Sequence, residues 1–348
     1  MSIAKKCAVV VMVFLGGCAT SGDNMQARID DLMRDYAGAN PGASVLVLKD
    51  GEPKIRASYG LADVEAKVAV TPTTNFRLAS VSKQFTAAGI LLLNEDGKLR
   101  LDDRLSQWLP SLPAATRDVT LRHLLTHTSG LIDYEDVMSP TLTMQLNDRD
   151  VLRLLETQDR TYFAPGTGYR YSNSGYVLLG LVIQQASGQS FTEFLRRRIF
   201  EPLGMRGTVA HVESRTVVPH RAYGYSYENG KWLRTDQSPT SATLGDGGIY
   251  SSIDDLARWD AALYDNRLLR AESLAAAFAP ATPTDDPEIE YGFGWRITGE
   301  TLWHSGESIG FRNVLVRYPQ RRLTVAVLTN RNDPEPYRLA LAIAELAK

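Results

Sequence analysis

The amino-acid sequence predicts an α/β (α+β) domain: one antiparallel sheet built from both chain ends and flanked by helices, with a mainly helical lobe inserted between them. Three observations predict it. Short β-rich runs lie early, at residues 44–49 and 55–59, and late, at 292–297, 314–318 and 323–329. The long stretch between them repeats its apolar residues with helical spacing. At 348 residues the chain is large for one layer pair, and its 44% apolar and 22% charged composition suits a globular protein. Strands at both ends with helices between them close one sheet from the two termini.

Residues 1–17 read as an export signal. Lys5 and Lys6 form a basic n-region, and residues 7–15 an apolar stretch too short to anchor the mature chain. Leu15-Gly16-Gly17-Cys18 resembles the bacterial lipobox, in which the cysteine becomes the lipidated first residue; an ordinary cleaved signal is the alternative. Residues 18–23 then form a tether and 24–348 the domain, with a sheet lobe at 24–79 and 241–348 and a helical lobe at 80–240. The expectation is an exported protein anchored by lipid on Cys18. Ala19, rather than Asp, after the cysteine favours the outer membrane, facing the periplasm. With Cys7 lost and Cys18 blocked, the mature chain has no disulfide and no thiolate, which excludes a cysteine nucleophile and a Cys-ligated metal. The formal charge of −2 becomes two units more negative when Lys5 and Lys6 leave, and no basic patch stands out, so nucleic acid is not an expected partner.

Residues 25–33 have helical periodicity. The runs 44–49 and 55–59 flank Asp50-Gly51, a hairpin signal. An apolar helix follows Ser80 and ends near Gly97. His123 and His127 stand four apart, but the glutamate of a zinc motif is missing, so no metal site is expected. Residues 147–157 read as a helix. Residues 176–183 form a second helix, apolar all round and closed by Gly188, and 191–200 a third, ended by Pro202 and Gly204. Tyr223, Tyr225, Tyr227 and Trp232 alternate with polar residues as strands do. The glycine-rich run 244–248 lacks the lysine of a phosphate loop. Ser252 caps a helix reaching about Tyr264, and a last helix follows Pro336.

Ser80-Val81-Ser82-Lys83 is where chemistry is expected. If Ser80 opens the helix, Lys83 lies one turn on and on the same face, within reach of the hydroxyl proton. A serine is a poor nucleophile until a neighbouring base takes that proton, and the helix N-terminus favours a developing oxyanion. The spacing alone is a weak signal, equally that of a capping serine and a surface lysine.

Two further elements lie in order behind it: Tyr171-Ser172-Asn173 and His304-Ser305-Gly306. Together with Leu124-Leu125-Thr126-His127-Thr128-Ser129-Gly130-Leu131, Pro165-Gly166, Pro202-Leu203-Gly204-Met205 and Gly247-Gly248-Ile249-Tyr250-Ser251, they make the chain resemble the serine β-lactamase and penicillin-binding family, in its class C β-lactamase, DD-peptidase and esterase branch. The resemblance covers nearly all of the mature chain. It implies an active site between the two lobes and no cofactor. It implies Ser80 as nucleophile, Lys83 and Tyr171 sharing the base role, and Asn173 holding Lys83 and the substrate amide. The amides of Ser80 and Glu307 would form the oxyanion hole.

The chain departs from the pattern at the third element, where β-lactamases of this branch normally carry Lys-Thr-Gly. A neutral His304 supplies less positive field to Tyr171 and to a substrate carboxylate. Arg312 is the candidate to replace that charge, or else a plain surface arginine. The expectation is a serine hydrolase forming an acyl-enzyme from a small-molecule or peptide amide or ester, as DD-peptidases and esterases do. A class C-type β-lactamase is the alternative, and a binding or sensing module the non-enzymatic one. Retention of Ser80, Lys83 and Tyr171 together favours catalysis.

Overall fold

The computed structural model describes residues 21–347; the expected signal segment and Cys18 lie outside the described residues. Eight antiparallel strands form the main sheet, in the order Thr282–Pro283, Glu290–Tyr291, Arg296–Thr298, Thr301–Ser308, Phe311–Tyr318, Leu323–Thr329, Ala43–Lys49 and Glu52–Tyr59. The two ends of the chain meet inside it, with Val45 opposite Val327 and Val47 opposite Val325. The early hairpin turns at Asp50 and Gly51, whose φ values of 57° and 82° suit a tight two-residue turn.

Side chains alternate across a strand, so this sheet feeds two cores. Val45, Val47, Val314, Val316, Val325 and Val327 pack on one face beneath Ile29, Met33, Ala340, Ile343 and Ala344. These come from the region of the N-terminal helix Ser21–Leu32 and from the C-terminal helix Tyr337–Leu346. Leu46, Leu48, Leu315, Ala326 and Leu328 point the other way, into a larger core with Phe85, Leu256 and Trp259. That core continues through the helices Lys83–Glu95 and Asn173–Ser187, which cross where Gly89 lies: a Cβ there would come within 2.9 Å of Ile183. Gly188, with φ 69°, ends the second of these helices.

One expected strand needs correction, and two elements were not read from the sequence. Residues 292–297 are not one strand: Glu290–Tyr291 and Arg296–Thr298 are joined by a turn. Its Gly292 and Gly294 sit so close to Ala277 O and Lys83 O that a Cβ would lie at 2.3 and 2.9 Å. The His304 triplet lies on a full strand, Thr301–Ser308, whose polar residues hide the usual alternation. The helix Ala271–Phe278 has no side-chain cap at Arg270, the signal by which a helix start is read. A small sheet, Phe76–Arg77 with Ile249–Ser251 and Val209–Ala210, ties the segment before Ser80 to the end of the glycine-rich run.

Candidate active site

Ser80 does not open an α-helix as a cap. Ala79–Ser82 form a 3-10 turn, and the α-helix begins at Lys83. Ala79 has φ 49°, a left-handed conformation that costs a residue with a Cβ about 1 kcal/mol. The surroundings impose it: Leu78 N donates to Ile249 O at 2.8 Å, and Ser82 Oγ accepts from Ile249 N at 3.2 Å. On the other side lies the strand Thr301–Ser308. A Cβ on Gly306 would fall 2.0 Å from Leu78 O and 3.3 Å from Ser80 N, so only glycine lets the strand approach the nucleophile turn. Ser80 and Glu307, the residue after Gly306, thereby line the same cleft.

Lys83 is fully buried. Its Nζ donates to Ser80 Oγ at 3.0 Å, to Asn173 Oδ1 at 2.8 Å and to the Asp246 carbonyl at 3.0 Å, which uses all three ammonium protons. Asn173 is itself fixed. Its Nδ2 donates to Glu135 Oε1 at 3.0 Å and its backbone N–H to Asp133 Oδ2 at 2.6 Å, at the start of a helix capped by Ser172. Burial raises the pKa of Glu135, with Asp133 and Asp246 adding to it, and burial raises that of Asp246 against the pull of Lys83. None of these three acids was singled out from sequence. Asp246 lay in the glycine-rich run, while Asp133 caps and Glu135 lies within a 3-10 turn, Tyr134–Asp136, with no periodic signal.

Two cations stand over the Tyr171 ring, Lys83 Nζ at 4.9 Å from its centroid and the Arg296 guanidinium at 5.5 Å. Arg296 comes from a short strand inside the misread 292–297 run, which is why sequence reasoning passed over it. His304 is 1% exposed and faces this cluster rather than open solvent. Its Nδ1 lies 2.6 Å from Ser305 O, which can only accept, so the proton sits on Nδ1 and Nε2 accepts from the Tyr291 hydroxyl at 3.0 Å. Burial, then Arg296 and Lys83, hold the imidazole well below its ordinary pKa, hence neutral. Arg312, the expected substitute charge, is occupied: it pairs with Glu307 at 2.7 Å across the strand register and donates to Ser308 O and Phe311 O. Sequence could not show that pairing, which depends on where the chain turns between the two strands.

His123 and His127 do not converge on a common ligand. His123 Nδ1 accepts from Thr120 N in a capping box, and His127 Nδ1 accepts from Ser172 N. Ser80, Glu135, Asn173, Asp246, Glu307 and Ser308 instead line one cleft of about 60 Å³. It exposes the Ser80 hydroxyl, bonded from behind by the buried Lys83, beside Glu307, an arrangement suited to nucleophilic attack on a carbonyl carbon.

The chain is similar to several known proteins. A family model described as Beta-lactamase matches residues 25–348. Penicillin-binding protein 4* of Bacillus subtilis (strain 168) is 35% identical over 319 residues, covering 86% of this chain and 70% of that protein. The D-aminopeptidase of Gluconobacter oxydans (strain 621H) is 31% identical over 88% of this chain, which spans only 58% of that longer protein. Among solved structures, the penicillin-binding protein from Bacillus halodurans superposes with a TM-score of 0.81 at 30% identity, covering 91% of this chain and 98% of that one.

Proposed function

The chain belongs to the Beta-lactamase family of serine hydrolases, and on that premise we propose that it cleaves an amide or ester through an acyl-enzyme on Ser80. The observation that carries the reading is the 3.0 Å contact between Ser80 Oγ and a fully buried Lys83 Nζ, itself fixed by Asn173 and Asp246 O. Ser80 Oγ attacks the carbonyl carbon while its proton passes to the Lys83–Tyr171 pair. The amides of Ser80 and Glu307 receive the oxyanion, one such donor being worth ~3 kcal/mol of barrier. The pair then protonates the leaving amine or alcohol, and water releases the acyl group.

Substrates without a carboxylate beside the scissile bond suit this site best. His304 is neutral and bonded to Tyr291, and Arg312 is bonded to Glu307. Within the DD-peptidase- or esterase-like class, this favours esters and amides that lack that carboxylate over β-lactams and over D-Ala-D-Ala termini, which both carry it. The Glu135 carboxylate on the cleft wall further favours an acyl group carrying an amine, the kind of substrate a D-aminopeptidase is named for. The test is a panel of a chromogenic cephalosporin, a short-chain aryl ester, a D-Ala-D-Ala peptide and a D-alanine anilide, each with wild type and Ser80→Ala. We expect ester or amide turnover that vanishes in Ser80→Ala. Turnover that persists in S80A would refute the nucleophile, and rapid cephalosporin hydrolysis by wild type would restore the β-lactamase reading.

We also propose that the protein is exported and held to a membrane by lipid on Cys18, on the strength of Leu15-Gly16-Gly17-Cys18. Cys18→Ser should leave the protein soluble or unprocessed in fractionated cells. A wild type recovered as a soluble species that starts after some other residue would discard the anchor.

A further inference from the structure

Tyr171 is gripped from both sides by one residue that the acyl-transfer scheme leaves unused. The backbone N–H of Arg170 donates to the His127 carbonyl at 3.0 Å, and the backbone N–H of Ser172 donates to His127 Nδ1 at 3.1 Å. The Tyr169–Arg170 and Tyr171–Ser172 peptide groups, on either side of the Tyr171 Cα, are therefore both tied to His127. The imidazole also lies against the phenol ring, with centroids 4.3 Å apart. His127 is 1% exposed and has φ 58°, a left-handed conformation in which His and Asn are several-fold enriched over other residues.

The roles of the two ring nitrogens follow. To accept from Ser172, Nδ1 must keep its lone pair, so the proton of the neutral ring is on Nε2, which has no hydrogen-bond partner. Burial, reinforced by Lys83, His304 and Arg296, holds this imidazole well below its ordinary pKa and keeps Nδ1 an acceptor. A ring needed only to fill space would require neither the acceptor at Nδ1 nor the left-handed backbone that aims its carbonyl at Arg170.

We propose that His127 is a positioning residue for the reaction: its carbonyl and Nδ1 clamp the backbone on either side of Tyr171 and hold the phenol in register with Ser80 and Lys83. The inference rests on the proton-transfer role proposed for Tyr171. It requires an acceptor at the δ position and nothing at the ε position. Asparagine sets its Oδ1 where Nδ1 lies and tolerates the same φ. Glutamine reproduces the ε side and leaves the Ser172 N–H unpaired.

The experiment compares His127→Asn, His127→Gln and Tyr171→Phe with wild type on a neutral aryl ester. It measures kcat and KM separately, the rate of Ser80 labelling by a fluorophosphonate, and near-UV circular dichroism as a check on folding. A phenol displaced by a fraction of an ångström to one ångström can cost a roughly hundredfold fall in rate. H127Q should therefore lose about that factor in kcat and in labelling rate, with KM within about threefold of wild type. H127N should stay within about threefold of wild type in both. The inference is overturned if H127Q matches wild type, if H127N is folded and as slow as H127Q, or if H127Q does not fold, which would make the contact structural. A Tyr171→Phe variant of full activity would instead remove the premise, and so separates failure of the mechanism from failure of the clamp.

Discussion

Lys83 and Tyr171 stand close enough to share one proton-transfer role: the ammonium is 4.9 Å from the ring centroid and bonded to Ser80. Lys83→Ala and Tyr171→Phe should each lower the acylation rate by ~10³, and the double variant should lose little beyond the worse single one. Additive losses in stopped-flow labelling of Ser80 would show that one of them alone takes the proton. These residues were legible because S-x-x-K and Y-x-N each place two functional groups a fixed step apart on one local element. Glu135, Asp246 and Arg296 were not, since each reaches the site from a loop or a short strand distant in sequence. Arg312 misled for the same reason: its identity was visible, but its register opposite Glu307 was not.

At the scale of elements, the run Leu244-Gly245-Asp246 acts as a strap rather than a plain loop. Gly245 O accepts from Thr86 Oγ1 at 2.6 Å and Asp246 O from Lys83 Nζ at 3.0 Å, while Leu244 N donates to Asp148 Oδ1 at 2.8 Å on the far side. Asp148 is the first residue of the helix Asp148–Glu156, and burial pushes its pKa up to about 8. The folded chain therefore binds a proton there that the unfolded chain releases near pH ~4. This contribution to stability is complete below that value and is lost as pH rises toward the folded pKa. Asp148→Asn keeps an acceptor for Leu244 N and does not titrate. Its melting temperature relative to wild type should thus rise by roughly 5 °C between about pH 5 and about pH 8. A constant offset across that range would place the titration elsewhere. His127 and His304, buried neutral, act with the opposite sign below about pH 6.5, and they cancel in the comparison because both chains carry them. The early hairpin was readable from Asp50-Gly51, because its conformation is set by two adjacent residues. The split of 292–297 was not, because Gly292 and Gly294 answer to Ala277 and Lys83.

Over the whole molecule, one sheet separates two cores, and the candidate site touches only one of them. Closure of the sheet by both termini could be inferred from where the β-rich runs fall. The partition into two cores follows from strict alternation in the strands Ala43–Lys49 and Leu323–Thr329, each apolar on both faces. Ile343 lies in the core beneath the terminal helices, and Leu78 lies in the other, directly behind Ser80 with its carbonyl against Gly306. Truncating either fully buried side chain to alanine should cost ~2–4 kcal/mol. In a chain this size that lowers the melting temperature by roughly 3–6 °C. The two should differ in catalysis. Ile343→Ala leaves the nucleophile turn untouched, so kcat per folded molecule should equal that of wild type. Leu78→Ala opens space behind the turn that holds Ala79 at positive φ, and kcat should fall about tenfold or more as Ser80 loses register with Lys83. Thermal melts, paired with active-site titration by a fluorophosphonate, would measure both quantities on the same samples. Equal losses of kcat in the two variants would mean that strain crosses the sheet, and that the two cores behave as one mechanical unit.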